Sequence, residues 1–258
     1  MRNFLTLLQK ELTESLRNGK WIWLPIAIIL IGISQPITTY YMPQILESAG
    51  NLPEGAVIEI PTPSGEEVLA STLGQFGTIG TLLFVLGSMS AISMERQNSS
   101  LTLVMVRPVS PFQYIASKWA AQLIIALVSF IASYVLVWYY TNLLFNPVDW
   151  KLMLSSLGIY SLWILFIISV TTLGGTLLKA SSGIAGISIS LLAVLSVSSG
   201  LFTRFMEWSP TNLRSHASGV LMNGELLDNG LIVIITTVGL SLLFVLFATF
   251  NFKRFEQF

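Results

Sequence analysis

Cysteine is absent from the 258 residues, so neither disulfides nor thiolate-bound metal can hold the chain together. Charge is scarce as well. Lys, Arg, Asp and Glu make up 10% of the chain, against about 25% in a soluble domain, too few to cover a water-exposed fold. The lone histidine, His216, lies between Ser215 and Ala217; an exposed histidine with no second ligand or base reads as structural rather than catalytic. Neither H-E-x-x-H nor G-x-S-x-G occurs. Gly19-Lys20 lacks the first glycine and the Ser/Thr of a phosphate loop, so the chain does not hydrolyse a nucleotide by itself. No apolar run carries an unambiguous charge near its middle, which argues against a carrier driven by a buried carboxylate.

What is present in quantity is apolar: 53% hydrophobic residues and a mean hydropathy of +0.74. The expected fold is an all-α polytopic membrane protein, a single transmembrane domain over residues 1–258. Six runs have the length that crosses hydrocarbon: 21–41, 73–94, 119–145, 152–178, 183–202 and 229–250. Trp21 and Trp23 open the first, and Tyr40 and Tyr41 close it, as aromatic residues do at a membrane interface. Gln35-Pro36 sits where a kink or early exit costs least. Gly74, Gly77, Gly80 and Gly87 in the second run permit close helix approach.

Residues 1–20 read as an amphipathic interfacial helix. Met1, Phe4, Leu5, Leu8, Leu12 and Leu16 share one arc, while Arg2, Lys10, Glu14 and Arg17 share the other. Leu7 and Glu11 stray from this separation; a charged leader to the first span is the plainer alternative. Residues 42–71 read as a loop with four prolines (Pro43, Pro53, Pro61, Pro63) and Glu47, Glu54, Glu59, Glu66 and Glu67, without Lys or Arg. Residues 203–228 are too apolar for a simple loop, and Phe205, Trp208, Val220 and Leu221 are expected to dip into the interface as part of an external helical segment.

Charge assigns the sides. Arg2, Lys10, Arg17, Lys20, Arg96, Arg107, Lys118, Lys179, Lys253 and Arg254 fall on one side, and only Lys151, Arg204 and Arg214 on the other. Positive residues stay in the cytoplasm, so both termini and residues 95–118 are expected inside a plasma membrane and the glutamate loop outside. Within 95–118, Gln97, Asn98, Ser99 and Ser100 suit a helix start, and residues 101–106 are apolar apart from Thr102. Pro108 disfavours helix at Arg107. Ser110-Pro111 restarts a helix with an N-cap and a proline at its first position. A short apolar helix exposed between two spans needs a partner; it either docks on a soluble protein or lies among headgroups.

Glu95, Arg96, Leu101, Leu103, Pro108, Ser110 and Lys118 together resemble the cytoplasmic loop of type-2 ATP-binding-cassette (ABC) exporter permeases. The small-residue position of that pattern is Ser99-Ser100 or Leu101-Thr102 here, a looser turn than usual. The resemblance extends to the order of elements along the chain: interfacial helix, six spans, and an external helical piece between the last two. It implies a membrane half that pairs with a second permease copy or a homologous permease, above two separate ATPase subunits. The chain would carry no cofactor and no metal of its own; ATP and Mg would be bound by the ATPases, and no nucleic acid is involved. Glu95, Arg96, Ser99, Leu101, Leu103, Arg107, Pro108 and Ser110 would form the ATPase-docking loop, braced by Phe4, Leu5, Leu8, Leu12 and Leu16 of the interfacial helix.

The function expected from these residues and this resemblance is export of a hydrophobic or amphipathic compound, such as a peptide antibiotic or a lipid-like molecule. Ser88, Ser90, Ser196 and Ser199 of the second and fifth spans are candidates to line the path, although a serine in a span commonly bonds its own backbone. The competing expectation is a non-transporting sensor or immunity protein that binds a toxin through its external loops. An intramembrane enzyme ranks last, for want of an acid, a base and a nucleophile.

Overall fold

The computed structural model describes residues 2–48, 62–97 and 109–255. Among them there is helix and no strand, and six helices are long and apolar enough to cross a membrane: Lys20–Ile45, Gly65–Gln97, Pro111–Leu144, Trp150–Leu177, Ser181–Leu201 and Gly230–Arg254. We label the elements α1 (Arg2–Arg17), α2 (Lys20–Ser48), α3 (Gly65–Gln75), α4 (Thr81–Ser88), α5 (Ser90–Gln97), α6 (Pro111–Leu144), α7 (Trp150–Leu177), α8 (Ser181–Leu201), α9 (Leu213–Asn223) and α10 (Gly230–Phe255). The second span is α3, a π-helical turn Phe76–Gly80, α4 and α5 in succession.

Local chemistry explains where the helices begin and break. Between α1 and α2 the chain turns at Gly19, whose φ of +70° lies in the left-handed region that costs glycine least. Ser64 caps α3 in a capping box with Glu67, so helix starts at Gly65 and the expected loop over 42–71 is shorter at both ends. Ser64-Gly65-Glu66-Glu67 carries that signal in plain form. At the other end α2 runs through Pro25, Pro36 and Pro43 to Ser48 with no early exit, as membrane helices tolerate. Ser110 caps α6 in a second capping box, with Gln113, and Pro111 takes the first turn, as Ser-Pro foretold.

Lipid is as apolar as leucine, so close packing and hydrogen bonds must hold such helices together. Spans two, three and four are at least half buried and form the centre, while spans one, five and six are less than a third buried and lie outside it. An aromatic column joins the central three: Phe76 meets Phe130 edge-on at 5.6 Å, and Phe130 stacks on Tyr160 at 4.9 Å. Ser133 Oγ donates to the Ile28 carbonyl at 2.9 Å. Next to it Gly32 lets span one close on span three, since a Cβ there would lie 2.7 Å from Ser133 Oγ.

Residues 203–228 are partly helical, as expected, but not interfacial throughout. α9 buries Leu213, Ala217, Val220 and Leu221 against α7 and α3, whereas Phe205 and Trp208 are exposed. Val220 and Leu221 therefore pack on protein rather than dipping into headgroups. His216 is also buried, not exposed as its sequence neighbours suggest, and burial pushes its pKa below the usual value.

Candidate functional site

The expected docking helix, with Ser99, Leu101, Leu103, Arg107 and Pro108, lies outside the described residues. Its two flanks do not. Span two ends at Gln97 and span three starts at Pro111, at the end of the bundle that also holds α1 and the turn between α7 and α8. That basic end contains a charge cluster joining several elements.

Lys118, on α6, is buried and donates to both carboxylate oxygens of Glu11 at 2.9 and 3.0 Å. It also donates to the Ala91 carbonyl at 2.7 Å and lies 3.2 Å from Glu95 Oε1. Lys10 donates to Glu11 at 3.0 Å and to Glu95, and pairs with Glu14 at 3.3 Å. Tyr114 donates its hydroxyl to Glu95 Oε2 at 2.6 Å. Lys20 donates to Gln122 Oε1 at 3.3 Å. Burial works against the charge of Lys10, but Glu11 and Glu95 outweigh it and hold its pKa above the ordinary lysine value. Glu11, Glu14 and Glu95 bring carboxylate oxygens within 4.8 Å of one another, and the ammonium groups of Lys10 and Lys118 occupy the space a metal would need.

Arg96 takes a different partner. Its guanidinium donates to the carbonyls of Gly175, Thr176 and Leu178 at 3.0, 3.2 and 3.3 Å, the unpaired acceptors at the end of α7. A positive charge there also suits the negative end of the helix dipole. Phe252 of α10 lies under Arg96 at 5.9 Å and stacks on Tyr114 at 4.8 Å. Gln97 donates to the Lys179 carbonyl at 3.1 Å. Adjacent residues on α5 thus bind opposite neighbours: Glu95 reaches α1 and α6, and Arg96 reaches α7 and α10.

A second constellation sits toward the opposite end. Arg214, on α9, reaches between spans two and five. It donates to the Gly77 carbonyl at 3.1 Å, to Ser196 Oγ at 3.1 Å and to the Thr211 carbonyl at 3.3 Å, and lies over the Trp163 ring at 5.3 Å. Burial lowers its pKa, yet a guanidinium keeps its proton in proteins.

Six apolar spans, an amphipathic helix before them and a helical insertion between the last two form a recognisable order, and sequence comparison decides it. A family described as ABC-2 family transporter protein matches residues 5–211. The chain belongs to the ABC-2 transporter family. It is also 38% identical, over the full length of both chains, to YxlG, a transmembrane protein of Bacillus subtilis (strain 168). This ABC-2 protein is therefore a multi-span membrane component of a transporter family, of the kind that works with ATPase subunits.

Within this ABC-2 chain the residues singled out by sequence fall into distinct settings. Glu95 and Arg96 face inward on the partners above, and Ser110 serves as the cap of α6. In α1, Leu12 packs on the core, Phe4 and Leu8 are half-buried, and Leu5 and Leu16 are exposed. Ser88 donates to its own helix at the Phe84 carbonyl, 2.7 Å away; Ser90 is half-buried. Ser199 accepts from Thr211 at 2.8 Å, and Ser196 holds Arg214. Glu11, Tyr114 and Lys10 were not foreseen as site residues. Only Glu11 left a trace in the sequence, as the acid straying onto the apolar arc of α1.

Proposed function

We propose that this chain is the permease half of an ATP-driven exporter. Its basic end faces the cytoplasm, and ATPase subunits dock on residues 95–118. The observation that supports this reading most is the anchoring of both flanks of residues 98–108. Glu95 and Arg96 on one side, and Tyr114 and Lys118 on the other, tie that stretch to α1 and to spans four and six. A force on the loop is passed through ion pairs and helix-end bonds instead of being lost in a hinge. Glu95 and Arg96 act here by holding the loop's base, while Leu101 and Leu103 supply the apolar contact. The positive-inside excess supports a cytoplasmic position for this end.

Two ATPase subunits, binding ATP and Mg, would serve two permease copies or a permease and a homologue. The cargo would be a hydrophobic or amphipathic compound, such as a peptide antibiotic or lipid-like molecule. Co-purification in mild detergent tests the reading. A nucleotide-binding subunit should come out with the wild-type chain and be lost in Leu101→Asp or Leu103→Asp. Glu11→Gln should keep the subunit but weaken the coupling of ATP hydrolysis to transport. A wild-type chain that emerges alone, or aspartate variants with full activity, would sink the docking model and favour the toxin-binding alternative.

A further inference from the structure

A cavity of about 320 Å³ lies between the second and fifth spans, walled by Gly77, Thr81, Trp163, Leu192, Ala193 and Arg214 among others. That volume is at the lower end for small-molecule sites. Its walls are chiefly apolar, and Ile79, Leu82 and Val197 at its edge are exposed, so it opens sideways toward the lipid. Into this apolar groove the fold brings one full positive charge. Gly77 makes room for it, because a Cβ there would stand 2.9 Å from Arg214 Cδ.

Among the described residues the charge of Arg214 is not neutralised. Its three acceptors, the Gly77 and Thr211 carbonyls and Ser196 Oγ, are all neutral, and they take three of the five N–H groups a guanidinium offers. Among the described residues no carboxylate pairs with it. Such a cation is expensive in an apolar setting and is the kind of group that marks a binding path. Trp163 offsets part of that cost through its ring face, but supplies no counter-charge.

We propose that Arg214 and the groove between spans two and five bind an anionic amphiphile. A phosphate or carboxylate head pairs with the guanidinium, and the apolar body lies along Leu192, Ala193 and Trp163. As cargo, this ligand rests on the transporter reading; as a binding site, it does not. The ligand comes either from the surrounding bilayer, as an acidic lipid, or from elsewhere as a free amphiphile of the same chemistry.

The test uses the full chain alone, in nanodiscs of phosphatidylcholine, with labelled dodecyl phosphate and neutral dodecyl maltoside as probes. Saturable binding that favours dodecyl phosphate is expected. Arg214→Gln should weaken it roughly tenfold or more, the scale of a lost charge-assisted contact, while leaving the maltoside unchanged. Arg214→Lys should keep part of the preference. Should Arg214→Gln fail to fold, Ala193→Phe decides the matter: Ala193 is exposed at the groove, so phenylalanine there fills the site without loading the core, and saturable binding should vanish. Equal binding of the two probes, no saturable binding, or full binding in either Arg214→Gln or Ala193→Phe would overturn the proposal. Added phosphatidylglycerol that displaces dodecyl phosphate identifies the bilayer as the source, and no displacement identifies a free amphiphile. An absent ATPase partner would undo the transporter reading and leave this result untouched.

Discussion

Lys118 is a buried cation shared by Glu11 and Glu95, and its value shows only when one partner is removed. Lys118→Met removes the buried cation the two carboxylates share and leaves Lys10, which is partly exposed, as the cation bridging them. Breaking a buried pair costs about 3–5 kcal/mol, and Lys10 offsets part of that here. A large fall in the thermal midpoint in detergent is expected. Glu11→Gln added to Lys118→Met should recover part of that loss, because the second change removes one of the two carboxylates now sharing Lys10; a strictly additive double variant would refute the direct coupling. Half of this pair was legible. Glu11 stands out on the apolar arc of α1, but its partner lies 107 residues away, and no local pattern can pair residues across that distance. Lys118 by contrast enters the sequence reading as one of ten positive charges on the richer side and as the last member of the loop pattern, neither of which says that carboxylates receive it.

Among elements, a close seam lies between spans one and three, where Gly32 meets Ser133 and Val137, and Phe76 of span two, within 2.8 Å of where a Cβ would stand. Gly32→Leu should force the seam apart, at about 1–3 kcal/mol for overpacking, with a lowered thermal midpoint. An unchanged midpoint would mean that span one is not seated as described. Hydrophobic run length made the six spans legible, because the bilayer sets that length. Their ends were less so: proline and glutamate in residues 42–71 masked the Ser64 capping box, and span two begins at Gly65 rather than near residue 73. α9 was readable too. Leu213, Ala217, Val220 and Leu221 recur at i, i+4, i+7 and i+8, a helical stripe, but nothing in that stripe says whether lipid or protein receives it. Arg214, beside it, reads in sequence only as one of three positive charges on the poorer side.

At the scale of the whole molecule, spans one, five and six present long exposed apolar faces, which suit lipid or a second permease copy. The chain's lack of cysteine makes its orientation directly measurable. Lys179→Cys, in the exposed turn between α7 and α8, should react with an impermeant maleimide only after the cells are opened. Asn223→Cys, exposed at the end of α9, should react in intact cells. The reverse pattern would place the 95–118 loop outside, away from any ATPase. The π turn at Phe76–Gly80 sits between the two constellations, with Gly77 inside it and Glu95 and Arg96 beyond it. A π turn holds one residue more than an α turn, so the sequence periods of the two halves of span two are out of phase with each other. Deleting a single residue there would close the π turn into an α turn and leave the segments on either side in place, whereas the same deletion in α4, just beyond it, would rotate everything after it by about 100°. Either Gly77 would lose Arg214, or Glu95 and Arg96 would trade faces and partners. The second span is thus a length-sensitive part: a one-residue deletion in α4 would do what no substitution within it can, leaving every other side chain's chemistry intact while putting the two ends of the molecule out of step.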